Sequence, residues 1–295
     1  MGMEELGNGG AGGTDAGAGA AESVDGVEVA ASPADGASEL LGIVRYDVGD
    51  GFREADDWIA VERPLTIVLD GEEFATMVCT PSEMEELVYG FLASEGIVRR
   101  ADEVASLAID ETSGFARVAL RNPRAAGKDA VSKRFIGSCC GKSRQFYFLN
   151  DARAARTSTS AVALTVRQCV DRLRELEDAS EAFRRTGGLH NAALCAPERL
   201  LFARSDIGRH NALDKLFGRC LLDGVPTRDA IVAFSGRLSS EVVLKVAKLG
   251  AAVVLSKAAP TTLAIELARD LGITAVGFVR GGSLNVYSHP QRILR

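Results

Sequence analysis

Apolar and polar positions alternate along the chain in blocks that change period, and the last eighty residues show this most clearly. Three short, almost wholly apolar runs, AIVAF (230–234), AVVLS (252–256) and TAVGFV (274–279), have the character of strands buried on both faces. Between them lie SSEVVLKVAKLG and TTLAIELARDLG, whose apolar residues recur at helical spacing. Each opens on Ser or Thr, which cap helix N-termini, and closes on Gly, which suits a C-cap. The pattern predicts β-α-β-α-β with parallel strands and right-handed crossovers.

Upstream the periods are shorter. PLTIVLDGEEFATMVCT reads as two strands about the turn Asp70–Gly71, and PSEMEELVYGFLASEGI as a helix running to Gly96. A second hairpin is expected near 104–109 and 115–120, followed by the polar stretch RNPRAAGKDA. From Thr165 to Phe183 the spacing predicts one helix, ended by the glycines of RTGGLH. LHNAALCA and RLLFARSD should pair as strands, and NALDKLFGRCLLDG should form a short amphipathic helix closed by Gly224. The expected fold class is therefore α/β, with a smaller α+β domain over 39–150 and an α/β domain with parallel strands over 151–295.

Composition adds a tail to this division. Met1 to Val44 hold eight of the 40 acidic residues and none of the 34 basic ones, so the formal charge of −6 conceals a slightly basic remainder. The Gly/Ala-rich, acidic segment 1–38 reads as disordered, without the basic and apolar regions of a secretory signal. No run approaches the length of a membrane span. Nucleic acid is a poor partner, because no Lys/Arg stripe with interleaved aromatics is present. The reading is cytoplasmic, with the six cysteines as thiols.

Parallel strands share a direction, so the residues after each one gather along a single sheet edge, where open α/β sheets bind ligands. Those residues include Arg237, Lys257 and Arg280, beside two helix N-termini that favour an anion. A phosphorylated ligand is expected there, and the glycines of RGGS (280–283) would let it approach the backbone. The pairs His190–Asn191 and His210–Asn211 are candidates for lining the same pocket. Asp206 is placed either to orient His210 or to cap the helix that follows it.

Four cysteines, Cys79, Cys169, Cys195 and Cys220, fall within apolar patterns and read as core. Cys139 and Cys140 differ: they sit in FIGSCCGKSRQF, among small residues and next to Lys142 and Arg144. Nearby cations favour the thiolate, which is the reactive form. Adjacent cysteines do not readily both face one zinc, and no second pair lies nearby, so no metal site is expected. The His-x-Glu and Pro-Cys-x-x-Cys segments of a zinc deaminase are missing. Sulfur or thiol transfer fits better.

Seven segments, PLTIVLDGEEFATMVCTPSEMEELVYGFLASEGI, GSCCGKSR, TGGLHNAAL, DIGRHNALDKL, SGRLSSEVVLKVAKLG, LSKAAPTTLAIELA and GFVRGGSLNVYSHPQRI, together resemble the formate dehydrogenase accessory sulfurtransferases, the FdhD family, in the same order. The resemblance covers roughly 40–295. It implies a carrier that takes sulfur as a persulfide from a cysteine desulfurase and passes it to the molybdenum cofactor, bis(molybdopterin guanine dinucleotide), for formate dehydrogenase. It also implies a homodimer, a cytidine-deaminase-like C-terminal domain and persulfide chemistry at Cys139 or Cys140. The family's cofactor segment corresponds to Phe278, Val279, Arg280, Gly281, Gly282 and Ser283, joined by Arg237, Lys257 and His210. One departure stands out: many members place two residues between the loop cysteines, and here they are adjacent. A vicinal pair closes only a strained ring, which disfavours a relay through an internal disulfide. The competing reading is a non-catalytic chaperone that binds the cofactor and presents it to formate dehydrogenase.

Overall fold

The structure is a computed structural model that describes residues 36–123, the strand Arg134–Ile136, residue 155 and residues 157–295. All of these lie in one compact unit, Ser32–Arg295. The acidic tail and the cysteine loop, with Cys139, Cys140, Lys142 and Arg144, lie outside the described residues.

The chain enters through a hairpin of β1 (Ser38–Asp47) and β2 (Gly51–Ala60), whose apolar residues have no single buried face. Next come β3 (Arg63–Leu69) and β4 (Glu72–Cys79), turning at Asp70 and Gly71, both with positive φ as a tight two-residue turn requires. Helix α1 (Met84–Ser94) follows, and β5 (Val104–Asp110) with β6 (Phe115–Leu120) forms the expected second hairpin. With β7 (Arg134–Ile136) these strands make a sheet in the order β5-β6-β3-β4-β7. Leu65, Ile67 and Met77 of the sheet bury against Leu87, Phe91 and Leu92 of α1.

The predicted helix over 165–183 is two helices. After β8 (Leu164–Thr165), α2 (Val166–Ala179) starts in a capping box formed by Thr165 and Gln168, and α3 (Glu181–Thr186) begins after a break at Ser180. Ser180 takes an extended backbone and its Oγ accepts from the amide of Phe183 at 3.3 Å. A serine that can cap a new turn competes with continuing the old helix, which is why spacing alone ran the two together. Gly187, with φ of 64°, closes α3 as expected.

The second large sheet is mixed. β9 (His190–Cys195) and β10 (Leu200–Asp206) pair antiparallel, and β9 also runs antiparallel to β11 (Ile231–Phe234). β11, β12 (Val253–Ser256) and β13 (Thr274–Arg280) are parallel, as their apolar runs predict, and β14 (Ser283–Val286) folds back on β13. The order is β10-β9-β11-β12-β13-β14, and β15 (Ile293–Leu294) pairs with β8. One face packs Ala193, Ile231, Val253 and Val276 on Leu173 and Leu176 of α2. The other packs Leu194, Val232, Phe234 and Val254 on α4 (Arg209–Leu222), α5 (Ser240–Leu249) and α6 (Thr262–Asp270). Both faces being covered accounts for the unbroken apolar runs.

Helices α1 and α4 cross closely because each presents a glycine. A Cβ on Gly90 would lie 1.7 Å from the carbonyl oxygen of Asp214, and one on Gly218 1.8 Å from that of Glu86. That crossing joins the two sheets' cores.

Candidate functional site

Strand register determines which residues share an edge of the second sheet. Asp206 pairs with His190, Ala192 with Phe234, Phe234 with Ser256, and Leu255 with Val276. The start of β9, the end of β10 and the ends of β11, β12 and β13 therefore face the same way. His190, Asn191, Arg209, His210, Ser235, Arg237, Lys257 and the 277–283 segment line that edge, together with the N-termini of α5 and α6.

The inner part of the edge is a hydrogen-bonded frame. Asn191 and Ser235 clamp β9 to the loop after β11: the amide of Asn191 donates to Ser235 Oγ at 2.8 Å, and the amide of Ser235 to the carbonyl of Asn191 at 3.0 Å. Ser205 Oγ donates to Asn191 Oδ1 at 2.7 Å. Ser256 Oγ accepts from the amide of Ala258 and donates to the carbonyl of Gly236, tying the loop after β12 to the loop after β11.

Asp206 neither orients His210 nor caps α4 as its N-cap residue; the N-cap is Gly208. Its carboxylate is fully buried and accepts from the amide of Gly208 at 2.8 Å, from Asn211 Nδ2 at 2.9 Å and from the amide of Thr80 at 3.1 Å. Lys215 Nζ lies 2.9 Å from Asp206 Oδ2 and donates to the carbonyls of Thr80 and Ser205. The DIGRHNALDK segment thus fixes the loop carrying Arg209 and His210 onto the end of β4. Burial pushes the Asp206 carboxyl up, and Lys215 with the donated hydrogen bonds pulls it back.

His210 has Glu241 as its neighbour, with Oε2 2.9 Å from Nε2 but without an aligned hydrogen bond at either ring nitrogen. Burial holds His210 below the ordinary imidazole value, and Lys245 and Arg209 add to this while Glu241 opposes it. His190 is lowered in the same way, by burial and then by Arg209 and His210. Both rings are neutral near pH 7.

The three predicted cations follow neighbouring strands but are not equivalent. Arg237 is exposed in the loop after β11. Lys257 forms an ion pair with Glu177 of α2, so its charge is already balanced. Arg280 is exposed at the β13–β14 turn, its guanidinium 5.6 Å from the ring centroid of Phe278. The side chain of Val279 is buried in the core between the sheet and α2, which leaves only its backbone for a ligand. Gly281 and Gly282 have φ of 57° and 80° and make the hairpin turn, with Ser283 Oγ donating to the carbonyl of Arg280 at 3.0 Å.

Phe278 has φ of 53°, in the left-handed region, at the bulge where β13 and β14 lose register. A non-glycine residue held there stores about 1–3 kcal/mol, and such positions cluster at binding sites. Neither this strain nor the Glu177 and Glu241 partners could be read from local sequence. Ser235 was within reach, as a small polar residue following a buried strand.

Cys79, Cys169, Cys195 and Cys220 are buried, as their apolar surroundings predict. Burial pushes the thiols of Cys79, Cys195 and Cys220 up to about 12 and that of Cys169 to about 11. Among the described residues, no group of three His, Cys, Asp or Glu is placed to hold a metal ion, and no helix is long and apolar enough to cross a membrane.

Comparison with known proteins places this edge in context. The chain is 52% identical over 249 residues to the sulfur carrier protein FdhD of Bacillus subtilis, covering 84% of this chain and 95% of that one. Against the sulfur carrier protein FdhD of Geobacillus kaustophilus the identity is 54% over 252 residues, 85% of this chain and 95% of the relative. A crystal structure from Desulfotalea psychrophila, described as a formate dehydrogenase accessory protein, superposes with a TM-score of 0.70 at 26% identity, covering 87% of this chain and 99% of that one. The FdhD/NarQ sequence model matches residues 60–294. That match runs from the end of β2 to the penultimate residue and takes in both large sheets and the whole edge, so the chain belongs to the FdhD/NarQ family.

Proposed function

We propose that this chain is a sulfur carrier in formate dehydrogenase maturation, loaded as a persulfide on Cys139 or Cys140. The observation that carries this reading is the state of the other four cysteines. Each is buried with a raised thiol pKa, so at neutral pH almost none is thiolate and none is open to a macromolecular donor. Of the six cysteines only Cys139 and Cys140 remain for the chemistry named in the family's sulfur carriers.

In the loading step a thiolate at Cys139 or Cys140 attacks the outer sulfur of a persulfide on a cysteine desulfurase. The S–S bond of the donor breaks, and the desulfurase cysteine leaves as thiolate. One sulfur moves at unchanged overall oxidation level. The acceptor would be the molybdenum cofactor as bis(molybdopterin guanine dinucleotide), cargo whose phosphates suit the sheet edge. Arg237 and Arg280 would supply charge, Gly281 and Gly282 close backbone, and Phe278 and Ser283 the turn surface, while Lys257 and His210 flank them. This assignment of the edge agrees with its open glycines and exposed cations. The topology of the sheet, parallel strands with ligand residues at their ends, is compatible with a cytidine-deaminase-like domain.

Peptide mass spectrometry after incubation with a desulfurase and free cysteine tests the proposal. The wild type should gain the mass of one sulfur atom on the peptide containing Cys139 and Cys140, and the C139A/C140A double variant should gain none. Equal loading of the double variant would place the sulfur site elsewhere. If the double variant instead stays unloaded yet matures formate dehydrogenase fully, the chain acts as a cofactor-binding chaperone and not as a sulfur carrier.

A further inference from the structure

The carboxylate of Glu241 is out of character with its surroundings. An acid in the first turn of a helix ordinarily stands in water, where it complements the helix dipole. Glu241, in the first turn of α5, has a side chain only 16% exposed and sits on the edge that also carries Arg209, Arg237, Lys257 and Arg280. His210 Nε2 lies 2.9 Å from its Oε2 but makes no aligned hydrogen bond to it, and the ring is neutral near pH 7. Ser239, the N-cap residue of α5, makes no capping hydrogen bond. Among the described residues, His210 and Ser239 hold three of the five buried side-chain nitrogen and oxygen atoms without a partner. Polar groups buried in a folded chain are nearly always satisfied, so the clustering of exceptions at the N-termini of α4 and α5 points to recognition there.

The neighbouring carboxylates serve the fold. Asp206 is fully buried and accepts from Gly208, Asn211 and Thr80 beside Lys215. Asp214, one turn beyond His210 on α4, is buried against Lys245 and Ser94, and Glu177 pairs with Lys257 from α2. Glu241 differs from these in facing an imidazole that gives it no aligned hydrogen bond. A carboxylate set among phosphate-binding cations repels phosphate and favours a group with two adjacent N–H donors. Guanine has that pair on its Watson–Crick edge, where N1–H stands beside the exocyclic amine, and one carboxylate accepts from both in charge-assisted bonds. Adenine places an unprotonated ring nitrogen there, which a carboxylate rejects. The ends of β13 and β11 are two strands apart in the sheet order, about 10 Å, and α5 begins just past Arg237. That separation matches the reach of a guanosine from its phosphate to the far edge of its base.

We propose that Glu241 is the base-reading residue of the sheet edge: its carboxylate accepts from N1–H and the exocyclic amine of a guanine whose phosphates lie toward Arg237, Lys257 and Arg280. The inference rests on the reading of the edge as a guanine-nucleotide site and adds the residue that selects the base. The cations hold any nucleotide by its phosphates, and Glu241 admits guanine over the other purines, since a site built to pair with a polar group discriminates against analogues that lack it.

Calorimetry on the full chain with the diphosphates of guanosine, inosine, xanthosine and adenosine tests it. The wild type should bind guanosine diphosphate about ten-fold more tightly than inosine diphosphate, which lacks only the exocyclic amine, and the other two more weakly still. Glu241→Gln offers one acceptor and one donor in place of two acceptors. It should lose about ten-fold or more in affinity for guanosine diphosphate and gain affinity for xanthosine diphosphate, whose C2 oxygen accepts from the amide. Equal binding of guanosine and inosine diphosphates by the wild type, or an unchanged guanosine-to-xanthosine ratio in Glu241→Gln, would overturn the inference and leave the phosphate site standing. A wild type that binds none of the four would overturn the nucleotide site and this inference together. The wild-type ratios decide the question even if Glu241→Gln does not fold.

Discussion

Lys215 and Asp206 are both fully buried, with Nζ 2.9 Å from Oδ2, and between them they hold the end of β10 and the start of α4 against Thr80 at the end of β4. The amide of Ile207 completes the link by donating to Thr80 Oγ1 at 3.1 Å. An ion pair taken wholly out of water is stable only while every partner is present. Lys215 Nζ meets that condition through the carbonyls of Thr80 and Ser205 and the hydroxyl of Ser82, besides Asp206.

Removing one partner should therefore cost more than removing both. Asp206→Asn leaves the buried ammonium with only the more distant Glu83 carboxylate, 3.8 Å away, as counter-charge and should destabilise the chain by about 3–5 kcal/mol. Lys215→Met should do the same to the carboxylate. The double variant should recover part of this loss. Urea denaturation of the four proteins gives the coupling directly, and strictly additive losses would show that the pair is not energetically joined.

The crossing of α1 and α4 makes a second, independent prediction about the junction of the two cores. Gly90→Ala and Gly218→Ala each place a methyl group within 2 Å of a backbone carbonyl, a contact that no rotamer relieves. The helices must separate, and each variant should lose at least the roughly 1–3 kcal/mol typical of overpacking. Ala is ordinarily better than Gly inside a helix by up to about 1 kcal/mol, so a loss has the opposite sign from propensity. A shift of either urea midpoint upward would contradict the close approach.

Much of this fold was legible because burial leaves a period in the sequence. β11, β12 and β13 are covered on both faces, so their residues are apolar without interruption, and the helices between them carry their own caps. The Asp70–Gly71 turn was equally plain, since few other pairs accept two positive φ values. Hairpin β1–β2 left no such mark: its apolar residues are spread over both faces and none of its length beyond the base is buried. Lys215 was hidden for the opposite reason, as a charged residue at helical spacing reads as surface until a buried acid from another element is found beside it. For the candidate site, topology alone brought Arg237, Lys257 and Arg280 to one edge. The partner of Lys257 came from α2, far away in sequence, and no local pattern announces a contact of that kind.

The two histidines at the edge make stability depend on pH. His190 and His210 are both held below the ordinary value of 6.5 in the folded chain, chiefly by burial. As pH falls through about 6.5 the unfolded chain takes up protons that the folded chain does not, so folding stability drops over that range and is unaffected well above it. His210→Gln, which cannot be protonated, should flatten the profile between about pH 7.5 and pH 5.5. Asp206 acts with the opposite sign from about 3.8 upward, and because it is present in both proteins its contribution drops out of the comparison between wild type and His210→Gln. Urea midpoints for wild type and variant across the range test this, and parallel profiles would mean that His210 titrates normally in the folded state.

The Lys257–Glu177 pair yields a prediction that runs against simple loss of function. If the sheet edge binds the phosphates of a guanine dinucleotide, Lys257 must leave Glu177 or share its charge, and that competition weakens binding. Glu177→Gln keeps the shape of the side chain and removes the competitor. Both side chains are about two-fifths exposed, so their pairing contributes little to folding and the variant should remain stable. Its affinity for a guanine nucleotide should rise several-fold, whereas Lys257→Ala, Arg237→Ala and Arg280→Ala should each lower affinity by about ten-fold or more, the loss of one charge-assisted hydrogen bond. Calorimetry with guanosine diphosphate at fixed salt separates the cases. Tighter binding in Glu177→Gln that disappears in Glu177→Gln/Lys257→Ala would put Lys257 on the phosphate. Unchanged affinity in both would leave Lys257 as a surface ion pair and shift the anion site to Arg237 and Arg280.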